Sequence, residues 1–207
     1  MQKTKMVFAS NNAHKIREMS YLINKNLNGF EVELLSVKDV GFTDDIIENG
    51  LTFEENAEIK ARAVFDKTGM ICFGDDSGLC VDYLDGRPGI YSSRYGGVAG
   101  GKVSNLEQIE KLLGELKNVP ENKRTAYFYC AIYCVIDKNI SFCVAGRCDG
   151  FITFEKSGEN GFGYDPVFYY PPEKKTFAQL GDDEKNKYSH RALAAEQFAK
   201  EIVKYII

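Results

Sequence analysis

Between positions 70 and 76 four apolar residues, Met70, Ile71, Cys72 and Phe73, run straight into Gly74, Asp75 and Asp76. This abrupt change restricts the fold more than any other feature of the chain. A short apolar run stopped by glycine reads as a buried strand that ends at Gly74. The two aspartates then sit where a sheet delivers side chains to its open edge, the place at which α/β proteins bind ligands. Neighbouring residues leaving a strand can point to different sides, so one carboxylate can hold a hard cation while the other meets an amide or a water. The wider stretch 72–95 reads as strand, turn and strand, with a hydroxyl, several glycines and two arginines. An aspartate pair alone fits a solvated acidic turn as well, because aspartate readily bonds its own backbone in turns.

The flanking segments supply more strands and helices. Residues 5–9 read as a short strand, followed by the polar loop Ser10, Asn11, Asn12, Ala13, His14 and Lys15 and then a helical stripe of Ile16, Met19 and Ile23. Asn12 suits the N-cap, and a loop entering a helix offers N–H groups to a phosphate, with Lys15 adding charge. The spacing is not that of a P-loop, and an ordinary capped helix accounts for the same residues. A second strand at 30–37 leads to an acidic turn with Asp44, Asp45 and Glu48, closed by Asn49 and Gly50. Thr52 and Glu55 have capping-box spacing for a helix over 52–66. On it Phe53, Ala57 and Val64 share a narrow arc, and Lys60 falls with them. Such a lysine either snorkels from the edge of the stripe or emerges into a cleft where an anion waits.

Residues 106–116 predict a structural helix, and 126–136 with 141–149 a hairpin around Asp137, Lys138 and Asn139. At 161–166 the run GFGYDP brings Phe162, Gly163, Tyr164 and Asp165 together. Either aromatic can stack on a base, at about 1–3 kcal/mol, or fill a core beside a tight turn. Near the C-terminus Ala195, Phe198, Ile202, Tyr205 and Ile206 make a buried helical stripe with Ser189 as natural N-cap. His190 and Arg191 then enter the first turn, where the macrodipole disfavours cations unless something anionic binds. A local rule broken in this way often marks a site.

The length of 207 residues suits one domain, 1–207, with room for two lobes sharing a sheet. A net charge of −4 leaves no basic field for nucleic acid, so an anionic ligand must be met by local cations or metal. No run approaches the ~18 apolar residues of a membrane helix, and the N-terminus lacks a secretion pattern. The expectation is a soluble, cytoplasmic protein without membrane or nucleic-acid partners. The cysteines at 72, 80, 130, 134, 143 and 148 form no CxxC pair and lie far in sequence from His14 and His190. Zinc is not expected, and most of the thiols read as small core hydrophobes.

Taken together, Glu48, Asp75 and Asp76 are hard-metal ligands, Lys15, Lys60, Lys185 and Arg191 are phosphate partners, and Phe162 and Tyr164 are stacking surfaces. That is a kit for a nucleoside triphosphate, whose charge of about −4 needs magnesium as well as lysines to enter an acidic protein. Ser-Asn-Asn with Lys15, GluAsnGlyLeuThrPheGluGluAsnAla with Lys60, AspAspSerGlyLeu through ArgProGlyIleTyrSerSerArgTyr, GlyPheGlyTyrAspPro, and LysAsn with SerHisArg also carry a resemblance. Over almost the whole chain the sequence resembles the inosine triphosphate pyrophosphatase family. The resemblance implies an α/β fold with a mixed, elongated central sheet flanked by helices, two lobes with an active-site cleft between them, and a homodimer. It also implies Mg²⁺-dependent hydrolysis of ITP, dITP and XTP to the monophosphate and pyrophosphate. By position, Glu48 and Asp76 would bind Mg²⁺, with Asp75 supporting the metal site and Asp76 also acting as general base. Ser10, Asn11, Asn12, Lys15, Lys60 and Ser77 would hold phosphates. Phe162, Gly163, Tyr164 and Asp165 would frame base and sugar, and Lys185, His190 and Arg191 would contact the base and the adjoining nucleotide. Asn49, Ser93 and Gln179 stand where threonine, alanine and glutamate are usual. A haloacid-dehalogenase-type phosphatase wants Asp-x-Asp rather than adjacent aspartates, and a non-catalytic nucleotide-binding module would not need the three acids together.

Overall fold

A computed structural model describes residues 3–97 and 103–206. Seven strands, β1 (Lys3–Phe8), β2 (Glu31–Ser36), β3 (Cys72–Val81), β4 (Thr125–Val135), β5 (Ser141–Ile152), β6 (Phe168–Tyr170) and β7 (Lys175–Thr176), form one sheet in the order β2-β1-β3-β4-β5-β6-β7. Strand β1 runs parallel to β2 and β3, while β6 is antiparallel to β5 and β7. The sheet is therefore mixed, as expected. Among the described residues five α-helices accompany it: α1 (Ala13–Asn26), α2 (Phe53–Thr68), α3 (Asn105–Glu115), α4 (Asp182–Tyr188) and α5 (His190–Ile206). Among the described residues no helix is long and apolar enough to cross a membrane.

Local chemistry explains most boundaries. Asn12 caps α1 by accepting from the backbone of His14 and Lys15. Thr52 accepts from Glu55 N, but the Glu55 carboxylate bonds Leu51 N instead of closing the box on Thr52. Between β4 and β5, Asp137 Oδ1 accepts from Asn139 and Ile140 N, an Asx turn that sets the hairpin. Two expectations fail around the aspartates. The strand does not stop at Gly74 but continues through Asp75 and Asp76 to Val81. The strand foreseen after the turn is a single bridge, Cys80 to Pro88, followed by a 3-10 helix at Gly89–Arg94.

The continuation through Gly74 has a packing cause. A Cβ placed on Gly74 would lie 2.5 Å from the Ala57 carbonyl and 2.9 Å from Lys60 Cβ. Glycine is present because α2 lies against the strand there, not because the chain turns.

The chain forms two compact units. The first comprises Met1–Asp76, Cys130–Gly146 and His190–Ile207. Alternation along its strands sorts its core into two layers. Met6, Phe8 and Phe73 pack with Met19 and Ile23 of α1 and Phe198 and Ile202 of α5. The Phe8 and Phe73 rings stack at 4.7 Å. Val7 and Cys72 face the opposite way, toward Ala61, Val64 and Phe65 of α2. The second unit comprises Ser77–Tyr129 and Arg147–Ser189. Phe128, Phe168 and Phe177 centre its core, joined by Leu112 and Leu116. Buried Arg124 donates to the carbonyls of Leu116, Ile152 and Thr153, so the end of α3 and the β5 terminus share one guanidinium.

All six cysteines are free and five are buried, and burial pushes the Cys130 thiol up to about 12. The close approach of α2 to β3 yields a test. Gly74→Ala should lower the unfolding free energy by about 1–3 kcal/mol through overpacking, measured by urea denaturation. A denaturation midpoint equal to that of the parent chain would contradict the contact.

Candidate active site

Because β3 runs through the aspartates, its period of two sends them to opposite faces. Asp76 shares the face of Gly74 and meets α2. Its Oδ2 accepts from Asn56 Nδ2 at 3.1 Å, and its Oδ1 lies 3.7 Å from Lys60 Nζ. Lys60, with a side chain 12% exposed, also bonds Glu48 Oε2 at 2.6 Å. Lys60 reaches anions, and they are carboxylates of the chain itself. Burial opposes its charge, yet Asp76, Asp75 and Glu48 outweigh this and hold its pKa above the ordinary lysine value. Asp76 is shifted the other way for an acid. Burial raises its pKa, with Glu48 and Asp75 adding repulsion that Lys60 and Asn56 offset only in part.

Asp75 shares the face of Phe73 and meets α1 and α5. Lys15 Nζ donates to both its oxygens at 3.1 Å, and Arg191 Nε lies 4.0 Å from Oδ2. Arg191 Nη1 in turn bonds Glu18 Oε2 at 2.8 Å. Burial opposes ionisation of Asp75, but Lys15, Arg191 and Lys60 together hold its pKa below the usual aspartate value.

At contact distance Asp75 meets Lys15, with Arg191 nearby, while Glu48 and Asp76 meet Lys60. Arg191 is buried against Glu18 and Asp75, so the anions that permit a cation at the start of α5 are internal. His190 is buried in the same turn. In the loop before α1, Ser10 Oγ accepts from Asn12 N, Asn11 and Asn12 are exposed, and Lys15 extends from the capped first turn to Asp75.

The residues suit a hard cation as a pair of oxygen donors. Lys60 already places positive charge between Glu48 and Asp76. No three His, Cys, Asp or Glu side chains among the described residues cluster as metal ligands. Mg²⁺ in general binds proteins through one or two carboxylates and completes its shell with water and phosphate oxygens.

In the second unit, Lys185 of α4 donates to Asp165 Oδ2 at 2.5 Å, and both side chains are buried. The same Oδ2 accepts from Phe162 N, and Lys185 Nζ stands 4.8 Å from the Phe162 ring centre. Phe162 is 42% exposed whereas Tyr164 is 4% exposed. Of the two stacking candidates, Phe162 has the open ring. Tyr164 is a brace, its hydroxyl donating to the Ser92 carbonyl, while Ser92 Oγ accepts from Leu79 N. The ArgProGlyIleTyrSerSerArgTyr motif thus ties the end of β3 to the turn that presents Phe162. Gly163 and Ser77 are half-buried. Gln179 keeps the bond a glutamate would make, since its amide oxygen accepts from Thr176 N at 2.9 Å.

Asn56 and Glu18 are the two site residues that sequence reasoning missed. Asn56 left a trace, as a polar residue next to Ala57 on the packed side of α2. Glu18 left none, because its partner is 173 positions away.

Fold and site together define an α/β protein with an acid–lysine centre on an interior strand of a mixed sheet. The chain belongs to the Ham1 family, whose model matches residues 6–201. It is 45% identical over 199 residues to the dITP/XTP pyrophosphatase of Clostridium perfringens, covering 93% of this chain and 94% of that protein. To the dITP/XTP pyrophosphatase of Bacillus subtilis it is 43% identical over 194 residues, covering 94% of each. Among solved structures, a Ham1 protein from Coxiella burnetii matches with a TM-score of 0.87 at 37% identity, over 97% of this chain and 99% of that one. The Staphylococcus aureus Ham1 protein matches with a TM-score of 0.85 at 36% identity, with the same coverage.

The opposed shifts of the two aspartates can be measured directly. Carboxyl-carbon NMR titration without divalent ions should find Asp75 below and Asp76 above the ordinary aspartate range. In Lys60→Met the Asp76 titration should move further up, because the cation that favours its charged form is gone. Coincident titration of the two carboxyls would contradict the separation.

Proposed function

We propose that this chain hydrolyses deaminated purine nucleoside triphosphates, ITP, dITP and XTP, to the monophosphate and pyrophosphate, clearing these bases from the nucleotide pool. The observation that carries the reading is Asp76, a carboxylate whose pKa is raised by burial, held on one oxygen by Asn56 and set beside Lys60 and Glu48. A raised carboxylate pKa suits a general base. Family membership and whole-length likeness to two dITP/XTP pyrophosphatases support the same reading.

Water attacks the α-phosphorus, the bond from that phosphorus to the α–β bridging oxygen breaks, and pyrophosphate departs with the electron pair. Asp76 takes the proton from the water. Lys60 and Lys15, each held by a carboxylate before substrate arrives, turn to phosphate oxygens, and the loop from Ser10 to Asn12 with Ser77 adds hydrogen bonds. Mg²⁺, held by Glu48 and Asp76, would neutralise phosphate charge on the substrate. Asp75 and Glu18 hold Arg191 and with it the start of α5 in place. Phe162 provides a stacking platform for the base, and Lys185, fixed by Asp165, offers an N–H donor to an oxygen at purine position 6. The homodimer implied by the resemblance belongs to this reading and is checked by light scattering.

Phosphorus NMR of ITP with the protein and Mg²⁺ should show pyrophosphate; orthophosphate would indicate a phosphatase instead. Asp76→Asn should keep its circular dichroism and lose ~10²-fold or more in kcat. Adenine presents a donor at position 6, so donor would face donor; such mismatches discriminate by up to about 10⁴–10⁵. kcat/KM should fall from ITP or XTP to GTP to ATP. Equal values for ATP and ITP would remove the base-reading role.

A further inference from the structure

Asn56 stands one helical turn before Lys60 on α2, 2% exposed. Both ends of its amide are used. Nδ2 donates to Asp76 Oδ2 at 3.1 Å, and Oδ1 accepts from Gly50 N at 2.9 Å, two residues beyond Glu48. A primary amide holds its donors and its acceptor in one plane, so a single side chain ties the strand carboxylate to the loop that carries Glu48. Gly50 is fitted to this tie. A Cβ there would stand 2.8 Å from Asn56 Oδ1 and 2.7 Å from Glu55 Cβ. For stability alone an apolar residue would serve the position as well, since asparagine is a poor helix-interior residue and a buried amide is costly unless bonded.

We propose that Asn56 is the positioning residue of this centre, setting Asp76 and the Glu48 loop as one unit so that the two carboxylates are arranged in advance for a shared divalent cation. The inference rests on the reading above, in which Glu48 and Asp76 form the metal-holding pair. Oδ2 of Asp76 accepts from the amide, and Oδ1 lies 3.7 Å from Lys60 Nζ. Asn56 acts through Asp76 and the loop.

Two variants test this. Asn56→Leu removes both arms while keeping a similar volume, and Gly50→Ala displaces only the loop arm. Each is compared with the parent chain by Mn²⁺ binding followed by electron paramagnetic resonance without nucleotide, by thermal melt, and by ITP kinetics with Mg²⁺. Asn56→Leu should weaken Mn²⁺ binding and lower kcat, each by about 10–100-fold, while KM for ITP stays within about threefold and the melt holds within a few degrees. Gly50→Ala should weaken Mn²⁺ binding by a smaller factor in a folded protein. If Asn56→Leu fails to fold, Gly50→Ala decides: weakened Mn²⁺ binding supports the inference and unchanged binding overturns it. An active parent chain with folded variants that keep parental Mn²⁺ affinity and kcat overturns the inference alone. A parent chain that releases no pyrophosphate from any purine triphosphate overturns the underlying reading, and the inference with it.

Discussion

The arrangement of the first unit depends on a missing side chain. With no Cβ at Gly74, the turn of α2 around Ala57 settles against β3, so close that an added methyl would stand 2.5 Å from the Ala57 carbonyl. Residues one turn apart on that helix, Asn56 and Lys60, then oppose the next residue on the same strand face, Asp76. The acid–amide–lysine centre is thus a consequence of how closely a helix can pack on a sheet. The same alternation carries Phe73 and Asp75 to the other layer, where aromatic packing with Phe8 and Phe198 continues into the ionic contacts of Lys15, Arg191 and Glu18.

Adjacent carboxylates separated in this way divide the electrostatic work. Asp75 is depressed, so its contribution to stability is complete above the ordinary aspartate value and is lost as pH falls through its lowered pKa. Asp76 is raised, so it opposes folding increasingly as pH climbs from the ordinary value through its elevated one. One is a structural anchor and the other a group held in a costly state. Groups of the second kind concentrate at functional sites, because burial and like charge shift a pKa toward the task it serves.

Much of this could be read from the chain. The strand–loop–helix opening, the Asn12 and Thr52 caps, the long hairpin and the terminal stripe each follow from periodicity and local hydrogen bonding. Lys60 announced itself by falling on an apolar arc. The errors share one cause, that tertiary contacts overrode a local signal. Gly74 reads as a breaker in a window of a few residues and becomes a packing position only once α2 is beside it. The internal partners of Arg191 could not be read locally either, because Glu18 and Asp75 are far away in sequence. Tyr164 and Phe162 were equivalent on paper, and only the Ser92 carbonyl separates the buried brace from the open ring.

On the proposed reading, the Lys185–Asp165 pair is a binding group worth burying. A buried ion pair seldom adds net stability, and losing one partner costs about 3–5 kcal/mol because a charge is stranded. Stability alone would therefore favour an apolar pair at these positions. On the proposed reading the gain lies in discrimination. An exposed ammonium bends and exchanges its donors with water, so a mismatched base edge loses little. Lys185, fixed by Asp165 and lying near the Phe162 and Phe177 rings, can neither withdraw nor resolvate easily. A donor presented to it would then go unsatisfied in a poorly solvated place, where that loss is greatest. On that reading, rigidity and burial, which contribute little to holding the fold together, are what would turn a generic cation into a reader of one oxygen atom.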